Sequence, residues 1–134
     1  MLSKLLSGII GGFFVGLFGY MVLSFPLDEP STIIFLILWL GSIYYAYTAE
    51  STAIVWRHLL LTSSVLCFLM PISSFIWTTK EVAGTEGAAE QAGAAIGGSL
   101  FVMVTGFLGF FLGIIFLIIG LLVGRKKNSS SKAD

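Results

Sequence analysis

The sequence predicts an all-α integral membrane protein: a four-helix bundle with helices at about 5–25, 31–49, 53–77 and 94–123, and with both termini inside. Three observations carry that prediction. Of 134 residues, 57% are hydrophobic and only 10% charged, with a mean hydropathy of +1.01; a soluble domain carries about 25% charged residues. Apolar runs near the length that crosses a bilayer core, about 20 residues, recur along the chain. The basic residues, finally, crowd onto alternate links between those runs.

The first run, LLSGIIGGFFVGLFGYMVLSF (5–25), holds no charge. Its Leu, Ile, Val and Phe side chains contribute roughly −4 to −7 kcal/mol toward insertion, before glycine penalties. It is longer than the about 7–15-residue core of a signal peptide, and no small-x-small cleavage site follows it, so it reads as an uncleaved span. The second, STIIFLILWLGSIYYAYTA (31–49), is entered through the turn PLDEP (26–30). There Asp28 and Glu29 suit the positive end of a helix dipole, and Pro30 suits a first helical turn.

The third run, AIVWRHLLLTSSVLCFLMPISSFIW (53–77), follows the short link Glu50-Ser51-Thr52, whose hydroxyls are natural N-caps. The segment TTKEVAGTEGAAEQAG (78–93) then reads as an external Ala/Gly/Glu-rich loop, with a break favoured by Gly84 and Gly87. From about Glu86 it can extend the fourth helix. Residues 1–124 thus form one membrane domain, and 125–134 a basic, serine-rich, disordered cytoplasmic tail.

Orientation follows from lysine and arginine. With the N-terminus inside, Lys4, Arg57, Arg125, Lys126, Lys127 and Lys132 face the cytoplasm and Lys80 alone lies outside. Tyr44, Tyr45, Tyr47 and Trp56 then fall near the inner surface, and Tyr20 and Trp77 near the outer. Trp39 lies near mid-span and reads as a packing residue.

Glycine in a helix costs about 1 kcal/mol against alanine, yet the spans are rich in it. Gly8, Gly12 and Gly16 fall in a band about 80° wide, and Gly106, Gly109, Gly113, Gly120 and Gly124 in one about 60° wide. Such glycine-zipper faces let a second backbone approach, and in lipid that van der Waals contact supplies much of the association energy. The expectation is that the first and fourth helices pack antiparallel on each other, or that one ladder joins a neighbouring subunit.

The third helix carries the polar groups. Arg57, Ser63, Ser64, Cys67, Pro71 and Ser74 fall on one side, a stripe suited either to helix packing or to a polar path. Packing is the commoner use of such hydroxyls. Pro71 lacks an N–H, so it frees a carbonyl that the nearby serines are expected to satisfy. Arg57 reads as an interfacial anchor, and His58 has no carboxylate at membrane depth with which to relay a proton.

Catalytic chemistry finds no footing. One cysteine excludes an internal disulfide, and one histidine leaves too few ligands for zinc. There is no phosphate loop or nucleophile elbow. The acidic residues of 78–93 match no calcium-loop spacing. The expectation is therefore a non-enzymatic membrane protein without metal or cofactor, lodged in a prokaryotic cytoplasmic membrane. Its partners are the lipid bilayer and other membrane subunits or further copies of itself, not nucleic acid. An accessory or structural subunit is the first reading. A small homo-oligomeric transporter, channel or pore-forming protein is the alternative.

Overall fold

The computed structural model describes residues 2–27 and 32–130, with the backbone alone described for 25–27 and 124–130. It is all-helical: α1 (Leu2–Leu27), α2 (Thr32–Thr48), α3 (Thr52–Gly84) and α4 (Ala88–Ser130). Three of these, α1, α3 and α4, are long and apolar enough to cross a membrane, which makes the chain an integral membrane protein. Helix α2 is apolar but only 17 residues long, about 26 Å at 1.5 Å per residue. The turn carrying Asp28, Glu29 and Pro30 lies outside the described residues.

Local chemistry sets the helix ends. Ser51 caps α3: its backbone is extended, and its side chain accepts from the Ile54 N–H. Between α3 and α4 the chain turns in three residues, Thr85 to Gly87, and Gly87 takes the left-handed φ of 117° that glycine alone adopts freely. The loop expected over 78–93 is therefore mostly helix. Its alanines and glutamates are good helix formers, and only the glycine-flanked turn interrupts them. Helix α4 likewise continues to Ser130, past the expected start of a disordered tail at 125.

Helix α1 lies against both α2 and α3, and α4 lies along α3. Helices α1 and α4 meet only through side chains, Phe14 and Phe18 against Phe116, with ring centroids about 6 Å apart. The expected antiparallel packing of the first helix on the fourth is not what forms. Helix α1 packs instead on α2 and α3, and α4 on α3, while α2 and α3 scarcely touch although the link between them is short; fit between helix surfaces, not chain order, sets the pairs.

Burial is inverted relative to a soluble protein. The buried set includes Ser7, Ser42, Ser63, Ser64, Ser73 and Ser74, beside Val15, Phe18, Ala46, Val55, Leu59, Cys67 and Met70. Large apolar side chains point outward along every helix, among them Ile37 at 64%, Phe107 at 65% and Met103 at 71% exposure. In water that surface would be prohibitive. In lipid it is the solvent-compatible one, and small residues are what let helices close on each other.

Candidate functional site

Both glycine ladders are filled from within the chain. A Cβ on Gly8 would fall 2.5 Å from the Cβ of Ala46, and one on Gly12 would fall 2.7 Å from that of Ser42. Gly16 receives the Phe35 ring. All three neighbours belong to α2. On α4, Gly106 faces Pro71, Gly109 the Cys67 carbonyl, Gly113 the Phe68 ring, and Gly120 Leu60 and Leu61, all on α3. Each described glycine of the two ladders thus faces a neighbour within this chain. The surroundings of Gly124 lie outside the described side chains. Three further close approaches lie off the expected positions: Gly11 against Leu59 of α3, Gly19 against Leu38 of α2, and Gly98 against Thr78 of α3. Gly19 continues the α1 ladder by one turn, a signal legible in the sequence. Gly98 follows Gly97 and only the fold tells them apart, since a Cβ at Gly97 would meet nothing within 4 Å.

Of the polar stripe on α3, Ser63, Ser64, Cys67 and Ser74 are buried and Pro71 is half-buried, but Arg57 is exposed. Toward the N-terminal end of α3 the side that α1 covers is the one bearing Val55, Leu59 and Ser63. Arg57 lies about 200° around the helix from Val55, and its charged head stays outside the packed interior.

Two of the stripe's three hydroxyls, Ser64 and Ser74, with Ser73 beside them, are committed to carbonyls, while Ser63 lies on the groove between α1, α3 and α4. Ser64 Oγ donates across the helix pair to the Gly113 carbonyl at 2.8 Å. Ser74 and Ser73 both donate to the Met70 carbonyl on their own helix, at 2.8 and 3.0 Å. Cys67 packs with Phe18 and Met70 in an apolar cluster that Leu112 and Phe116 flank. The carbonyl that Pro71 frees is that of Cys67, four residues back. The serines do not take it up, contrary to expectation. It faces the bare Cα of Gly109 instead, a close approach of the Cα–H···O kind.

The α1–α2 hairpin has polar ties of its own. Trp39 Nε1 donates to the Ile9 carbonyl at 3.1 Å, so the mid-span indole is a helix clamp. Lys4 Nζ donates to the Ala49 carbonyl at 2.9 Å, where the orphan carbonyls and negative dipole end of α2 accumulate. Composition alone marks Lys4 only as a topology charge.

Two apolar grooves lie beside the first half of α3. One, of about 360 Å³, lies among α1, α2 and α3 and reaches Gly41, Tyr45, His58 and Thr62. His58 Nδ1–H donates to the Ile54 carbonyl at 2.9 Å, and the ring meets Tyr45 edge-on at 5.7 Å. The other, of about 460 Å³, runs between α1, α3 and α4. Among the described residues no cluster of three or more His, Cys, Asp or Glu could hold a metal ion. The chain matches no protein-family model, no curated protein and no solved structure.

Proposed function

We propose that the chain is a small, non-enzymatic subunit that crosses the prokaryotic cytoplasmic membrane four times, with both termini inside, and packs into a larger membrane complex as an accessory or structural component. One observation carries the reading. Helix α4 is covered on one side only: 17% of its most apolar stretch is buried, against 50% for α1. The glycine faces are occupied internally, so the contact with other subunits falls to the other side of α4, where Gly93 and Gly97 stand open beside Ile96 and Leu100. Of the hydroxyls that could line a path, Ser64, Ser73 and Ser74 are turned onto internal carbonyls instead. This weighs against a self-assembled transporter or pore.

Four spans require α2 to cross as well. At about 26 Å it matches a thinned or locally adapted bilayer. The test is purification of the native protein in mild detergent, reading particle mass and co-purifying polypeptides together. A defined particle with other, larger membrane subunits is the expected result. A monodisperse particle of this chain alone would replace the accessory reading with a homo-oligomeric transporter, channel or pore.

A further inference from the structure

The groove of about 360 Å³ among α1, α2 and α3 exists because α2 and α3 scarcely touch. Ile37, Gly41 and Tyr45 of α2 form one wall, and His58, Leu59 and Thr62 of α3 the other. Gly41 differs from the glycines of α1, each of which takes a neighbouring helix at close range. A Cβ at Gly41 would meet nothing within 4 Å, so its bare backbone widens the groove instead of admitting a helix. A pocket at the low end of ligand-site volumes, mostly apolar with a few polar groups, suits a small molecule.

The polar groups of these walls are uncommitted. Ser42, Thr48, Ser73, Ser74 and Thr105 return their hydroxyls to carbonyls of their own helices. Among the described residues, Tyr45 Oη and Thr62 Oγ1 make no hydrogen bond. The neutral His58 ring, its Nδ1–H given to the Ile54 carbonyl, offers Nε2 as an acceptor. Tyr45 meets that ring edge-on, so the two stand at one level, and Thr62 lies one turn, about 6 Å, farther along α3. No residue with a fixed charge lines the groove. Arg57 lies about 140° around α3 from Thr62, and Lys4 is given to the Ala49 carbonyl.

We infer that this groove binds an isoprenoid quinone and its quinol, with the ring laid over Gly41 and facing His58 and Thr62. Three features select that ligand. It is neutral, because a charged headgroup would find no counter-charge in the groove. It is flat where it enters between two helices over a bare glycine. It carries two polar atoms a ring's width apart, matching polar groups one helical turn apart. One quinone carbonyl accepts from Tyr45 O–H and the other from Thr62 O–H, while a quinol O–H donates to His58 Nε2. The tail leaves past Ile37, which is 64% exposed, into lipid. The site stands whether or not the chain joins a larger complex, since every lining residue belongs to this chain.

The test is photolabelling of the full-length protein in phosphatidylcholine vesicles with an azido-benzoquinone that carries a decyl tail. Illumination should label α2 and α3 saturably, and the unlabelled decyl-benzoquinone should displace the probe where palmitate does not. Gly41→Leu, which fills the groove, should abolish the labelling. Tyr45→Phe and Thr62→Val should each raise the half-saturating concentration about fivefold, the worth of one hydrogen bond. His58→Phe should weaken displacement by the quinol about fivefold more than displacement by the quinone. Displacement by palmitate as effective as by the quinone would overturn the assignment and mark a general lipid slot. Labelling that does not saturate, that persists in Gly41→Leu, or that is unchanged in both hydroxyl variants would overturn it as well.

Discussion

The bare Cα of Gly109 lies against the carbonyl oxygen of Cys67, so closely that a Cβ there would sit 2.5 Å from it. Pro71 leaves that carbonyl without its usual helical donor, and the glycine on the next helix closes over it. One backbone irregularity on α3 and one missing side chain on α4 thus meet at the centre of the pair.

Gly109→Ala is accordingly expected to destabilise the protein by about 1–3 kcal/mol, because the obstructing atom is backbone and cannot rotate away. Gly97→Ala, which meets nothing within 4 Å, should be neutral or slightly stabilising. Thermal unfolding of both variants in the same detergent checks the contrast. Equal melting temperatures would show that α3 and α4 do not approach at Gly109 as described.

Ser64→Ala removes the hydrogen bond to the Gly113 carbonyl. Interhelical bonds within membrane proteins average about 0.6 kcal/mol, so a loss of about that size is expected. Ser74→Ala should cost less, since its bond stays within one helix whose carbonyl already has a second donor in Ser73. Unfolding in mixed micelles at graded denaturing-detergent fractions orders the two variants.

Thr78 Oγ1 is buried without a hydrogen-bond partner beside Gly98. An unsatisfied buried hydroxyl costs about 1–3 kcal/mol, and valine keeps its shape. Thr78→Val should therefore raise the melting temperature, while Gly98→Ala should lower it by driving a methyl into the same side chain.

Lys4→Met should loosen the α1–α2 hairpin by about 1 kcal/mol, through loss of a charge-assisted bond to the Ala49 carbonyl at the end of α2. Trp39→Phe should act on the same pair by freeing the Ile9 carbonyl. Amide exchange along α2 should rise in both variants and remain unchanged in α4, which does not pack on α2.

Orientation is open to a direct test. In a Cys67→Ala background, a cysteine at Thr85 should react with an impermeant reagent from outside intact cells, and one at Ser3 only after permeabilisation. Labelling of Thr85→Cys from the cytoplasmic side alone would invert the topology.

The sequence by itself determined the helical class, the approximate apolar runs and the breaks at Ser51 and Gly87, but it ended the third helix at 77 where the structure continues to Gly84, and began the fourth at 94 where the structure begins at Ala88. Hydropathy is a property of the chain against its solvent, and caps such as Ser51 and turns such as Gly87 act over three or four residues. The glycine bands on α1 and α4 were legible for the same reason, since a helix turns a fixed angle per residue. What those faces touch was not. The two ladders look alike, so composition suggested that they meet. Only the tertiary structure gave the first to α2 and the second to α3. It also exposed Arg57 beside a buried stripe and turned the serines at 73 and 74 away from the carbonyl that Pro71 frees. In lipid the hydrophobic difference between faces is small, so which helices pair rests on fit between surfaces. That fit belongs to two segments at once and cannot be read from either alone.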